Sequence, residues 1–549
     1  SGGAEAPSVH RPSLQAFEQY VKGLIAEQPT AQATFLEAAL KLDPLYDPAR
    51  LALWDVRTAQ GDHAAALAEL ERGADAKAKS PDGTTALHWA VYHNDADLVA
   101  RLIKAGADVN AANDYGSTPL GEAATVGNPA VVKQLLEAGA DANAPGKDRA
   151  TPLMLAARGS SVESARLLIE HGADVNTKET WRGQTALIWA AAQSQPGMVK
   201  LLLEHGADPN ARSATNDWDR QVSGEKRRMY RPFGGMTALM YAAREGCADC
   251  ARALVEGGAD PDLGDYRNVT PLITALDNLH FDTAAYLIDA GATLDMWDWW
   301  GRTPLYMAVD MNTVPKGGRP DQMSTDKTTA IQVVEKILAK GANPNVQLKL
   351  GLPYRDRGAD RGCDSMLTTG ATPLLRAAKT FDTESMKLLL AHGARWDLPN
   401  SSGVTPMHAA AGYGSLECDI RGYGPGIPQY MTADVQQKSI AALQVLIDAG
   451  ADVNAATTGG ARGRAPGQTP LFGAAFWGWD DVVKFLAEHG AQVAAADTNG
   501  RTAVDAALGK TGGHERGSSI KVFASTAQLL RSLCANEPGC TAAPAAPGG

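Results

Sequence analysis

Apolar positions along this chain fall into short bursts, two to a unit, separated by glycine and by polar turns. The first burst of each unit follows a threonine, and in many units a proline comes next, as in Thr118-Pro119-Leu120 and Thr270-Pro271-Leu272. Threonine can cap a helix, and a proline in the first turn loses only an N–H that would have no helical partner. The leucine and alanine that follow give a narrow apolar stripe, so a short helix is predicted. The second burst shows helical spacing, as in Val131-Val132 with Leu135-Leu136, and ends at a glycine such as Gly139, where a helix can stop in the left-handed region. One such helix pair cannot bury its own apolar face, so stability must come from stacking on neighbours.

The unit repeats. TTALHWA, STPLGEA, ATPLMLA, QTALIWA, MTALMYA, VTPLITA, RTPLYMA, ATPLLRA, VTPMHAA, QTPLFGA and RTAVDAA carry Thr85, Thr118, Thr151, Thr185, Thr237, Thr270, Thr303, Thr372, Thr405, Thr469 and Thr502. Most successive threonines are 33 residues apart, and the longer gaps mark insertions. The second half of the unit repeats as LIKAGADVN, LLEAGADAN, LIEHGADVN and LLEHGADPN. This period and text resemble the ankyrin repeat. The resemblance covers roughly residues 50–510 and implies an all-α ankyrin-repeat solenoid of about eleven repeats with helical caps.

The ends read differently. Residues 1–12 are expected to be a flexible N-terminus. Residues 13–78 resemble a tetratricopeptide repeat, with Asp43-Pro44 between helices and Gly61-Asp62 at the next turn, and are expected to cap the solenoid. The solenoid would run over 79–510, with 511–534 as a C-terminal capping helix and 535–549 as a disordered tail. Four insertions, 211–234, 312–328, 346–369 and 413–437, interrupt the period. Loops of this length in compact proteins are often functional.

The resemblance implies that ligands meet the finger tips and the exposed turn at the end of each first helix. Counting from the repeat threonine places Asp114 and Tyr115, Trp181 and Arg182, Phe233, Tyr266 and Arg267, Trp299 and Trp300, and Arg302 on fingers. The same count places Tyr92 and His93, Arg244 and Glu245, Asp277 and Asn278, Asp310 and Met311, and Phe476 and Trp477 at helix ends. Aromatic rings give large contact area at low entropic cost and dominate binding hot spots. Arginines among them can bond carboxylates or stack on rings. The expected function is therefore a non-catalytic scaffold holding a protein, peptide or glycan along an aromatic groove. The bland alternative is that these rings pack under the insertions.

Two rival readings remain. Asp277 and Asp310 hold equivalent places in adjacent repeats, and packed helices lie ~8–10 Å apart. That overlaps the ~6.5–9.5 Å between the carboxyls of inverting glycosidases, so a carbohydrate-acting hydrolase or lyase with this pair as acid and base is the first rival. A structural, self-assembling repeat protein is the second. His88 and His408 occupy the T-P-L-H position, where the resemblance implies a structural role. No Gly-rich phosphate loop, HExxH or GxSxG stands in a matching context, and no cofactor or metal is expected.

Charge and cysteine bear on partner and compartment. A net charge of -11 argues against general binding to phosphate backbones, despite the basic run Lys226-Arg227-Arg228. No stretch reaches the roughly 18 apolar residues of a membrane span. The six cysteines group as Cys247 with Cys250, Cys363 with Cys418, and Cys534 with Cys540. Paired placement of this kind points to disulfides and so to an exported protein, periplasmic or extracellular, with a cytoplasmic scaffold as the alternative. The opening Ser1-Gly2-Gly3-Ala4 lacks a hydrophobic signal core, as expected after removal of a targeting peptide or after addition of a few residues.

Overall fold

The computed structural model describes residues 12–60, 76–77, 79–80, 82–146, 148–216, 233–312, 324–350, 366–413, 433–459, 465–510 and 522–535. The fold is all-α: among the described residues the only strands are two-residue pieces, Thr215–Asn216 and Phe233–Gly234, at the edges of the first insertion. The chain divides into two compact units. The first comprises residues 1–218, 234–242 and 252–259, and the second residues 219–233, 243–251 and 260–549.

The first unit begins with three helices, Leu14–Ile25, Pro29–Leu42 and Asp47–Ala59, packed in chain order. Asp47–Ala59 packs on Ala86–Tyr92, the first helix of the Thr85 repeat. Helix pairs then follow in register: Ala86–Tyr92 with Ala96–Lys104, Pro119–Val126 with Pro129–Glu137, Pro152–Arg158 with Val162–Glu170, and Ala186–Ala192 with Pro196–Glu204.

Local chemistry explains the register. Thr118 Oγ1 accepts from Gly121 N–H and Thr185 Oγ1 from Ile188 N–H, each satisfying an otherwise orphaned helix donor. Neighbouring repeats are also tied by asparagine. Asn143 Oδ1 accepts from Asp174 N–H at 2.8 Å while its Nδ2 donates to Gly172 O at 2.9 Å, 29 residues further on. The core is made of residues such as Leu120, Val132, Leu135, Leu153 and Leu168, with alanines where the first helices meet.

The second unit repeats this construction, with pairs such as Pro271–Asp277 and Phe281–Asp289, Pro304–Asn312 and Ala330–Ala339, Pro373–Lys379 and Thr383–Ala391, and Pro470–Trp477 and Asp480–Glu488. Ala433–Asp448 is the long second helix of the Thr405 repeat. Ala503–Ala507 is followed by Ala524–Ala535, and the two pack together. Most of each insertion, the basic run 226–228 and the tail after 535 lie outside the described residues. No helix among the described residues is long and apolar enough to cross a membrane.

Candidate interaction surface

Several fingers are closed by one carboxylate or amide that gathers backbone N–H groups. Asp265 Oδ1 accepts from Arg267 N and Val269 N at 2.8 and 2.9 Å, and Asp298 Oδ1 from Trp300 N and Arg302 N at 3.0 and 2.9 Å. Glu179 does the same in the first unit, accepting from Trp181, Arg182 and Gln184. Such side-chain-to-backbone bonds hold a tight turn without help from a sheet. The rings on the tips are thereby presented on a fixed backbone.

In the second unit the tips of two successive fingers join directly, because Trp299 N–H donates to Arg267 O at 2.8 Å. Trp297 is 44% exposed, Asp298 0%, Trp299 42% and Trp300 3%. Trp299 and Trp300 form a tight turn closed by the Asp298 carboxylate, which itself turns inward with Trp300 while Trp297 and Trp299 stay exposed. Trp297 and Trp299 therefore point outward with Tyr266, which is 43% exposed. The Lys349 ammonium lies 2.9 Å from the centre of the Trp297 ring, a cation–π contact.

Five expected groove residues are instead internal, Met311 among them. Trp300 is buried, with the Arg302 and Arg267 guanidinium carbons 4.9 and 5.8 Å from its ring centre. Arg302 is buried as well: its Nε donates to Asp298 Oδ2 at 2.6 Å, and its Nη1 lies 3.9 Å from Asp277 Oδ1. Trp477 is buried, its indole N–H donating to Gly412 O at 2.8 Å over a glycine with no side chain to block the ring. Asp310 is wholly out of solvent and paired with Arg376, whose Nε lies 2.6 Å from Asp310 Oδ1. The expectation that Trp300, Arg302, Trp477, Asp310 and Met311 face an open groove is corrected accordingly. An acid–base pair needs both carboxyls within reach of substrate, and Asp310 is not placed for that.

Arg267 is partly exposed, yet its fork is already spent on Asp265, with Nε and Nη2 at 2.9 and 2.7 Å from Oδ2. Asp277 is half-buried, as is Asn278. Arg244 pairs with Glu245 at 2.7 Å. Phe476 is half-buried, edge-on to Trp477. The Phe233 side chain lies outside the described residues.

The first unit exposes its own rings. Trp181 is 65% exposed with the Arg182 guanidinium 4.1 Å from its ring centre, and Tyr115, beside Asp114, is also exposed. Tyr92 and His93 are exposed and form a cluster with Trp89, His93 stacking on Trp89 at 5.9 Å. Sequence reasoning missed Trp89, Trp297 and Lys349.

The two histidines at the T-P-L-H position are structural. Thr405 N–H donates to His408 Nδ1, so the ring proton sits on Nε2, which donates to Gln468 O at 3.0 Å. His88 is held in the same way between Thr85 and Ser117 O. Burial pushes His408 down to about 4, and lowers His88 as well. Cys247 and Cys250 have their sulfurs at bonding distance, 2.11 Å. Cys540, the expected partner of Cys534, and the Cys363–Cys418 pair lie outside the described residues. Among the described residues no cluster of His, Cys, Asp or Glu could hold a metal ion.

Comparison with known proteins agrees with this architecture. The model for ankyrin repeats (three copies) matches residues 56–146, 139–213 and 327–418, and the single ankyrin-repeat model matches 234–266 and 466–498, together more than half of the chain. The chain belongs to the ankyrin-repeat proteins. The first match begins at residue 56, inside the stretch expected to be a separate cap. Rabankyrin-5 of Mus musculus is 36% identical over 100 residues and that of Homo sapiens 35%, in each case over 17% of this chain and 9% of the relative. The chain thus spans less than a tenth of the length of these relatives. A solved structure, the ankyrin repeat domain of Bcl-3, a unique member of the IkappaB protein family, is 26% identical with a TM-score of 0.35, covering 41% of this chain and 94% of that one. Ankyrin repeats are generally protein–protein interaction modules, and that general role is the one this family membership gives the chain.

Proposed function

We propose that the chain is a non-catalytic scaffold that grips a protein partner, or a peptide segment of one, with Tyr266, Trp297 and Trp299 of the second unit. The observation that carries this reading is the outward alternation of Trp297 and Trp299 on a finger bonded to its neighbour through Trp299 N and Arg267 O. Large rings already held on a rigid backbone lose little freedom on binding. Polar residues are the usual occupants of an exposed turn, so three such rings in adjacent fingers need a reason to be there.

The test is capture from native extract with the full chain, followed by the variant Tyr266→Ala/Trp297→Ala/Trp299→Ala. A protein recovered by the native chain should be lost by the variant, at unchanged helical content by circular dichroism. Undiminished recovery by the variant would remove these rings from the interface. Recovery of a glycan rather than a protein would replace the partner class.

Export is the second part of the proposal, supported by the paired Cys247 and Cys250. Its test is the mass of protein isolated from its source under alkylation, before and after reduction. Free thiols throughout would favour a reducing compartment instead. The three N-terminal helices are proposed to act as a cap, a role that deletion of residues 12–60 would test through loss of solubility.

A further inference from the structure

The second helix of the Thr237 repeat, Ala248–Glu256, starts differently from its counterparts. In the Thr85, Thr118 and Thr372 repeats the first turn of that helix is capped by the oxygens of Asp95, Asn128 and Asp382. Here Cys247 takes that place. Its sulfur accepts from Cys250 N–H at 3.2 Å and also stands at bonding distance from the Cys250 sulfur. The two cysteines differ in access: Cys250 is fully buried, whereas Cys247 is partly exposed. Immediately before them Gly246 adopts a left-handed conformation, and the imidazole of His280 packs against it. A Cβ at Gly246 would collide with His280 Nδ1 and lie 2.7 Å from Cε1. The reachable sulfur therefore sits at a helix N-terminus, next to the residue that carries a histidine ring, with a buried sulfur behind it. Helix N–H groups and a neighbouring imidazole both favour a thiolate.

We propose that Cys247–Cys250 is a thiol–disulfide exchange centre, opened at Cys247 by thiols while the repeat stays folded. An incoming thiolate attacks Cys247 Sγ, the Sγ–Sγ bond breaks, and the electron pair leaves on Cys250 Sγ, which then takes up a proton. A second thiolate attacks the outer sulfur of the mixed disulfide and releases Cys247 as thiolate, so two thiols are oxidised to one disulfide and the bridge is reduced. His280, whose ring packs on the adjacent Gly246, is given the role of favouring Cys247 as the released thiolate. The proposal rests on the pairing of the two sulfurs and is independent of partner binding through Tyr266, Trp297 and Trp299.

The probe is dithiothreitol, applied to the full chain without denaturant, followed by iodoacetamide, peptide mass mapping and circular dichroism. Cys247 should be alkylated on the order of tenfold faster than Cys250, with the helical signal unchanged. The Cys250→Ala variant, given oxidised glutathione, should form a mixed disulfide at Cys247 that dithiothreitol releases. In the Cys250→Ala background, His280→Phe keeps a ring over Gly246 without its nitrogens and should slow that release of Cys247 by roughly threefold or more. A bridge that yields only in denaturant, or equal labelling of the two cysteines, would overturn the proposal. An unchanged rate in His280→Phe would overturn the part given to His280.

Discussion

Arg376 Nε lies 2.6 Å from Asp310 Oδ1, and the pair joins the first helices of the Thr303 and Thr372 repeats with neither side chain reaching solvent. A charge taken out of water costs several kcal/mol, and its partner offsets that cost only while both are present. Asp310→Ala should therefore lower stability by about 3–5 kcal/mol. Asp310→Leu combined with Arg376→Met removes both charges and should be far milder. Urea denaturation followed by circular dichroism measures both, and a double variant as unstable as the single one would contradict this account.

His408 makes stability depend on pH. Thr405 N–H points at Nδ1, the atom a second proton would occupy, and burial disfavours charge on the ring. The folded value of about 4 lies below the unfolded value near 6.5. Between these values the unfolded chain binds a proton that the folded chain refuses, so stability is full above about 6.5 and falls as pH drops toward 4. The loss contributed is on the order of 3 kcal/mol. His88, lowered for the same reason, acts in the same direction. In His408→Gln the difference in melting temperature between pH 7 and pH 5 should shrink, and an unchanged difference would exclude His408 as a source.

Asp282 ties the end of an insertion to the preceding repeat. Its Oδ1 accepts from Thr328 N and Oγ1 at 2.9 and 2.6 Å, its Oδ2 from Lys327 N at 3.1 Å, and Asp326 Oδ2 in return accepts from Asp282 N at 2.8 Å. Burial opposes ionisation of Asp282, yet the bonds from Thr328 and Lys327 prevail and hold its carboxyl below the usual range. Because the folded value is depressed, this contribution is present at neutral pH and is lost as pH falls through the folded value. Asp282→Ala should cost about 1–3 kcal/mol and speed hydrogen exchange at the Lys327 and Thr328 amides. Exchange at those amides equal to the native rate would show that the clamp is closed by other contacts.

How much of this was legible beforehand depended on whether a residue's role is local. Thr270, Gly139 and the alanine stripe announce themselves because capping, helix stop and close approach act within a few residues, and the period repeats the message. The direction of a finger side chain is different. Offset counting put Trp299 and Trp300 on the same finger but could not separate the exposed ring from the buried one, because both stand in one tight turn whose geometry decides which side chain faces out. Asp310 looked like a groove carboxylate because its partner Arg376 lies 66 residues away, across an insertion, where no sequence spacing connects them. Trp477 was misplaced for a similar reason: the carbonyl that fixes it belongs to Gly412, 65 residues earlier.

Two glycines in the second unit separate conformational cost from steric cost. Gly403 has φ +76° on a finger, and a Cβ there would run into the backbone N and side-chain Oγ1 of Thr458 on the next finger. Gly450 has φ +87° after the helix Ala433–Asp448, and a Cβ there would meet nothing within 4 Å. Gly450→Ala should therefore cost only the left-handed strain, roughly 1–2 kcal/mol. Gly403→Ala adds a backbone collision that must push two fingers apart, so its cost should exceed that of Gly450→Ala by about 1–3 kcal/mol. Thermal melts of the two variants decide the matter. Equal losses would mean that the Thr458 finger gives way without resistance and that its contact with Gly403 does not hold the register of adjacent repeats.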